Sequence, residues 1–245
     1  MLKSKVGYSM AEDSFTSGLT TAKASIIGNE SKVGFLYTSC TQNVREIVRG
    51  VKSITNMPVI GCTSSGAIIV PDGIVASNQG FSGMLTMADQ NLTVGVAGHE
   101  AGANARLIGR EVALEAVRNA GMKTAPAYFY MVASPKEEED YLMGIQDVIG
   151  RVPMFGGSAA DDTVEGKWKI ICDDKVFSDG VAVCFFYTQS DILTEYTGAY
   201  RETNISGIIN KVEQNRTLVT IDNEISLNKY ASWIGTTPDK LRGTK

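Results

Sequence analysis

The pattern of hydrophobic and polar positions changes between two periods along the chain. Residues 33–39 and 128–134 are short, mainly apolar runs, which are typical of buried strands. Each run is followed by a stretch in which apolar residues recur at helical spacing. These positions are Val44, Ile47, Val48, Val51 and Ile54 in the first stretch and Leu142, Ile145, Val148 and Ile149 in the second. The pattern predicts a strand, a helix and a second strand, joined by a parallel crossover.

The two strand–helix–strand segments match one another at a single shift. Residues 33–39 align with residues 128–134, and residues 58–65 align with residues 153–160, both displaced by 95 positions. One shift that serves two separated motifs without a gap indicates an internal duplication. A period this long is typical of a duplicated half-domain, because solenoid repeats run about 20–50 residues.

The repeat extends beyond these motifs on both sides. Upstream, Val6-Gly7-Tyr8 is similar to Val94-Gly95-Val96, and a helical pattern follows each of them. Downstream, residues 82–85 and 179–182 each enter an apolar strand, which we expect to pair antiparallel with its neighbours. Each copy therefore contains more than a single crossover.

We predict an α/β fold of two internally duplicated β-α-β-α-β units with additional antiparallel strands. The units span residues 5–90 and 92–190 and should pack as a pseudo-symmetric pair around one shared core. The first helix of each unit is predicted from its apolar side chains. These are Phe15, Leu19, Ala22 and Ile26 in the first unit and Leu107, Leu114 and Val117 in the second.

The last part of the chain has a weaker pattern. Two short strands are expected there, with a turn at Asp222-Asn223 and a short helix that ends at Gly235. This tail has too little apolar surface to fold alone. We expect one domain over residues 1–200, followed by the beginning of a second, incomplete region over residues 205–245.

Composition and charge narrow the function classes. The 245-residue chain has a formal net charge of −4 and no cluster of Lys and Arg, so a nucleic-acid or membrane-binding face is not expected. The sequence has no signal-peptide pattern and no membrane-spanning run, which predicts a cytoplasmic protein. The four cysteines form no C-x-x-C pair, so we expect neither a structural metal nor a cofactor.

Small residues follow the second strand of each repeat and form the candidate site. The predicted ligand-binding residues are Gly61, Cys62, Thr63, Ser64, Ser65 and Gly66 in the first copy and Gly156, Gly157, Ser158, Asp161 and Asp162 in the second. Ligands of α/β sheets bind beyond the carboxyl ends of strands, where small residues allow close approach to the backbone. Hydroxyl and N–H groups can hold a carboxylate, and the two aspartates can hold an ammonium group, which suits an amino acid. The alternative is tight packing between the halves, which Gly and Ser also permit.

These motifs carry a family resemblance. The sequences GCTSSGAI at residues 61–68 and GGSAADD at residues 156–162 resemble the N-terminal part of the FIST domain, and residues 180–183 are similar to its following strand. The segment from Gly207 resembles the start of the family's C-terminal part, with Tyr230 in its short helix. The resemblance implies an intracellular sensory module that binds a small ligand, amino acids among them, and acts with a signalling partner or an appended output domain.

Two other functions remain open at this point. Cys62 ends a strand beside hydroxyl groups, and a base such as His99, the chain's one histidine, would make it a nucleophile of a transferase or hydrolase. Since Gly157 replaces Cys62 in the second copy, the motif does not require a thiol, and we expect a binding protein without catalytic residues. A purely structural interaction module is the third possibility.

Overall fold

The computed structural model describes residues 2–195, 198, 200–214 and 216–242. Met1, the start of the first expected domain, and residues 243–245, the end of the second expected region, lie outside the described residues. The chain separates into two compact units, Met1–Thr194 and Glu195–Lys245.

The first unit contains both copies of the repeat. The elements of the first copy are β1 (Lys3–Ser9), α1 (Ser14–Ser25), β2 (Ser31–Ser39), α2 (Val44–Lys52), β3 (Val59–Ser64), β4 (Ala67–Val70), β5 (Gly73–Ala76) and β6 (Ser82–Ala88). Those of the second copy are β7 (Thr93–Glu100), α3 (Ala105–Asn119), β8 (Tyr128–Ala133), α4 (Glu138–Ile149), β9 (Met154–Ser158), β10 (Ile170–Cys172), β11 (Lys175–Phe177) and β12 (Gly180–Tyr187).

Two sheets carry the same strand order. The first sheet runs β1-β6-β2-β3-β10-β11 and the second runs β7-β12-β8-β9, so each copy contributes its strands in one arrangement. The pairs β2–β3 and β8–β9 are parallel, whereas β6 and β12 pair antiparallel with both of their neighbours. Cys62 lies opposite Tyr37 and Gly157 lies opposite Val132, which are matching positions of the two sheets. The predicted duplicated α/β fold is confirmed.

The unit is layered as helices, sheet, sheet, helices. Side chains alternate between the two faces of a strand. On β12, Val183 and Phe185 pack against α3 and α4, whereas Cys184 and Phe186 face the other sheet. A core shared by both halves lies between the sheets, where the ring of Phe35 meets Tyr130 edge-on at 5.1 Å. Helices α1 and α2 cover the outer face of the first sheet.

The apolar residues that predicted α3 are divided between its two faces, with Val117 against the core. Leu107 and Leu114 are 49% and 54% exposed. The buried face consists of Ala105, Gly109, Val112, Ala113 and Ala116. The reason is the close approach of α3 and α4, because a Cβ on Gly109 would lie 2.3 Å from the carbonyl oxygen of Tyr141. Small residues define this interface, so the larger apolar residues are turned outward.

A hairpin crosses from the second copy to the first sheet. Strands β10 and β11 follow β9 in the chain, yet β10 pairs antiparallel with β3, with Ile170 opposite Cys62. The corresponding hairpin of the first copy, β4–β5, pairs only with itself among the described strands. This crossing brings the loop of residues 159–169 to the carboxyl end of β3.

The second unit is small. It contains β13 (Ile209–Glu213), β14 (Thr217–Ile221), β15 (Glu224–Ile225), α5 (Ser226–Trp233) and α6 (Pro238–Leu241), and the three strands form one sheet in chain order. Asp222 and Asn223 have φ values of 52° and 64°, which confirms the predicted turn. Across the described part of both units, no helix has the length and apolar character needed to cross a membrane.

Candidate functional site

The first predicted loop begins inside the sheet. Gly61, Cys62 and Thr63 are buried residues of β3, Ser64 is half-buried, and the following Ser65 and Gly66 are exposed. The Ser64 hydroxyl donates to the carbonyl of Ala67 at 2.7 Å, which tightens the turn into β4. The exposed backbone of the loop therefore starts at Ser65.

Gly61 and Gly156 have the same structural role in the two sheets. A Cβ atom on Gly61 would lie 1.8 Å from the carbonyl oxygen of Leu36, and one on Gly156 would lie 1.8 Å from that of Met131. Each glycine lets a parallel strand approach its neighbour closely. For these two positions, close packing explains the residue type.

The second predicted loop differs from the first in exposure. Gly156, Gly157 and Ser158 are exposed in β9, whereas Asp161 is only 3% exposed and Asp162 is exposed. The Ser158 hydroxyl donates to a carboxylate oxygen of Glu138 at 2.6 Å. The two halves thus place equivalent residues in different surroundings.

The structure brings the two predicted loops into direct contact. The Gly66 N–H donates to the Asp162 carboxylate at 2.6 Å, and the Ala160 N–H donates to the Thr63 carbonyl at 3.0 Å. The Lys169 N–H donates to the Thr63 hydroxyl at 2.9 Å, and the Thr63 N–H donates to the Lys169 carbonyl at 3.0 Å. Residues of both copies therefore meet at the carboxyl end of β3.

Asp161 organises the crossing loop. Its carboxylate accepts hydrogen bonds from the N–H groups of Thr163, Glu165 and Lys167 at 3.1, 3.1 and 2.5 Å. Burial raises the pKa of this carboxyl, but the N–H donors led by Lys167 outweigh burial and hold its pKa below the ordinary value. The ionised side chain therefore holds the backbone of this segment, which contains no helix or strand.

A cleft of about 390 Å³ lies at the N-terminus of α2, beside the contact between the two loops. Its lining includes Cys40, Asn43, Arg45, Gly166, Lys167 and Lys169. The Cys40 thiol lies beside Asp162, and burial raises the pKa of this thiol. The cleft therefore combines the positive end of a helix with three cationic side chains, of which Lys167 is paired with Glu165, and the neighbouring Asp162 carboxylate. Sequence reasoning missed the cations, although Lys167-Trp168-Lys169, four residues beyond Asp162, was a usable signal.

The other chemical candidates lie elsewhere. Cys62 faces the core between the sheets, and burial raises the pKa of its thiol to about 12. His99 instead bonds Glu115 of α3 through Nε2 at 2.7 Å. Since His99 faces the helix side of the second sheet, that sheet separates it from Cys62. Within the described ranges, no group of three or more His, Cys, Asp or Glu residues could hold a metal ion.

The comparison with protein families matches residues 32–224 to the FIST N domain. The chain belongs to the FIST N domain family. FIST domains are sensory domains, so the chain is a sensory domain of signal transduction. The match extends past Thr194 into the second unit, and the assignment of residues 205–245 to a C-terminal FIST region stays a prediction.

Comparisons with whole proteins add little to the FIST assignment. No curated protein matches the sequence. Cyanuric acid hydrolase from A. caulinodans is 11% identical, with a TM-score of 0.38 over 76% of this chain and 67% of that one. T. maritima PurL complexed with ATP is 9% identical, with a TM-score of 0.26 over 77% of this chain and 36% of that one.

Proposed function

We propose that this FIST domain binds a small polar ligand, with amino acids as the leading class, where the loops of the two copies meet. The observation that carries the proposal is the crossing of residues 159–169, which places Asp162 against Gly66 beside the cleft at α2. A cleft of about 390 Å³ falls within the size range of small-ligand sites. None of the predicted loop residues is in the lining of the cleft, but Asp161 and Asp162 adjoin it through Lys167 and Cys40.

The charges of the cleft suit a zwitterion. The N-terminus of α2 and the guanidinium of Arg45 attract a carboxylate, because the helix dipole and the side chain have the same sign. The Asp162 carboxylate, which also accepts from Gly66, attracts an ammonium group on the opposite side. Gly61, Cys62 and Thr63 lie within the sheet behind the loop contact, Ser64 and Ser65 form the turn, and Gly66 holds the Asp162 carboxylate in place. Gly156, Gly157 and Ser158 position the start of the loop that carries both aspartates.

The crossing loop is the element through which binding is transmitted. It connects β9 of the second sheet with β10 of the first, so a ligand that orders residues 159–169 also couples the two halves. The change is read by a signalling partner or an appended output domain in the cytoplasm. In this account the domain binds its ligand without chemical conversion and involves neither nucleic acid nor membrane.

Isothermal titration calorimetry against the common amino acids tests this function. We expect saturable binding of at least one, and the variant Arg45→Met should weaken it by about thirtyfold or more because a charged contact is lost. Arg118→Met is the matched control, since Arg118 is an exposed arginine on α3. If a folded chain gave no heat with any amino acid, this ligand class would be excluded.

A further inference from the structure

Strand β9 ends the second sheet with an unpaired edge. Its counterpart β3 is not an edge strand, because β10 pairs with it in the first sheet. The described strands include none that pairs with the outer side of β9. The two copies therefore differ at equivalent strands, because β3 is paired on both sides and β9 is paired only with β8.

The backbone groups that β3 uses for this pairing are repeated on β9. The Val59 carbonyl accepts from the Asp173 N–H at 2.6 Å, and the Thr63 N–H donates to the Lys169 carbonyl. The same shift of 95 positions gives the carbonyl of Met154 and the N–H of Ser158. The Pro153 carbonyl and the Ala159 N–H both bond β8. Because the backbone groups of successive strand residues point to opposite sides, those of Met154 and Ser158 point away from β8, toward the open edge.

The lengths of two connections explain why this edge is open. Residues 65–66 join β3 to the hairpin β4–β5, and such a link spans at most about 10 Å. Residues 159–169 join β9 to the hairpin β10–β11, and that link can span about 40 Å. The longer link lets β10 reach the opposite sheet, while the shorter one holds β4–β5 beside its own copy.

The β9 edge carries none of the usual protection against pairing. Its sequence Met-Phe-Gly-Gly-Ser has no charge and no proline, and all of its residues are exposed. Met154 and Phe155 are 36% and 42% exposed. Natural edge strands normally use charge, proline or a bulge to prevent association, so an edge of this composition favours it.

We propose that β9 pairs antiparallel with β9 of a second copy of this chain across a two-fold axis at Gly156. This register pairs Gly156 with itself and Met154 with Ser158 of the second copy, so the outward N–H and C=O groups bond. Phe155 then lies opposite Gly157 of the second copy in a position where side chains are closest. A Cβ on Gly157 would meet no atom within 4 Å, so Gly157 leaves the position opposite Phe155 open, while the Phe155 ring packs against Tyr128 and Tyr130 of its own copy.

Charge complementarity supports the same occupant. An antiparallel pair brings the N-terminal flank of one β9, with the exposed Arg151, toward the C-terminal flank of the other, with the exposed Asp162. Because the interface is two-fold symmetric, this contact occurs twice in the dimer. Pairing would join two four-stranded sheets into one continuous sheet and place the loops of the two proposed ligand sites near the interface.

Sedimentation velocity of the full 245-residue chain tests the proposal. We expect a concentration-dependent equilibrium between the 26.3 kDa chain and its dimer. The variant Gly157→Lys should raise the dimer dissociation constant about a hundredfold or more, because its long charged side chain would stand against Phe155 of the second copy. The monomer should keep its fold, since the space beside Gly157 is open and its backbone lies outside the left-handed region.

Met143→Lys is the matched control. Met143 on α4 is 39% exposed, much like Met154, and this variant should dimerise as the parent does. Hydrogen exchange should also show protection of the outward amides of Met154, Gly156 and Ser158 as the concentration rises. A parent chain that stays monomeric at millimolar concentration, or a Gly157→Lys variant that still dimerises, would refute the proposal. So would protection of β9 only on addition of a peptide with the sequence of residues 169–177, since the occupant would then be another strand.

Discussion

Replacing Gly61 or Gly156 with alanine is expected to lower the free energy of unfolding by about 3–5 kcal/mol. Either Cβ atom would lie 1.8 Å from a carbonyl oxygen of the adjacent parallel strand. Backbone atoms of a central strand cannot move aside as a flexible side chain can, so the strands must separate. Gly156 also has a φ of 146°, which side-chain-bearing residues rarely adopt.

Urea unfolding monitored by circular dichroism measures this loss. Gly157→Ala is the matched control, because it adds the same methyl group one residue from Gly156 where no atom lies within 4 Å. We expect that control to change stability by less than about 0.5 kcal/mol. Equal stabilities of Gly156→Ala and Gly157→Ala would contradict the close approach of β8 and β9.

Replacing Asp161 with alanine is expected to release the crossing loop. The N–H groups of Thr163, Glu165 and Lys167 would lose their shared acceptor, and no strand or helix holds this segment otherwise. Trypsin cleavage after Lys167 and Lys169 should accelerate roughly tenfold or more, because local opening exposes those bonds. Asp162→Ala is the control, since it removes the contacts with Gly66 and Cys40 but leaves the loop N–H bonds to Asp161, and it should leave cleavage within about twofold.

Acid dependence provides a second measurement on the same side chain. The pKa of Asp161 is lowered in the folded chain from an ordinary value of 3.8, so its ionised form stabilises the loop fully above that pH. The stabilisation is lost as the pH falls through the lowered folded pKa. On acidification, the opening of the loop measured by amide hydrogen exchange should therefore increase in the parent, whereas it should not change in Asp161→Ala. Equal acid dependence in the two proteins would show that the carboxylate does not hold the loop.

The duplicated architecture was predictable because it depends on patterns close together in sequence. Short apolar runs at residues 33–39 and 128–134 indicate buried strands, and the single shift of 95 positions identifies the copies without any knowledge of their contacts. The turn at Asp222-Asn223 was predictable for the same reason, since its chemistry is local.

The candidate site could be predicted only in part. The loops were located from their small residues, but the pairing of Ile170 with Cys62 is a long-range contact that no local pattern encodes. The sequence alone also could not separate the packing role of Gly61 from a binding role, because both require the absence of a side chain. The exposure of Leu107 depends likewise on how closely two helices approach, which is decided by their partners.

The fluorescence of Trp168 tests the central claim most directly. The chain has two tryptophans, so a Trp233→Phe variant leaves Trp168, in the crossing loop between two lysines of the cleft, as the sole indole. If the ligand binds where the two copies meet, titration with the amino acid identified by calorimetry should give a saturable emission change with the same dissociation constant. The Asp161→Ala substitution should abolish that change. Calorimetric binding with unchanged Trp168 emission, and unaffected by Asp161→Ala, would place the ligand elsewhere and contradict the account.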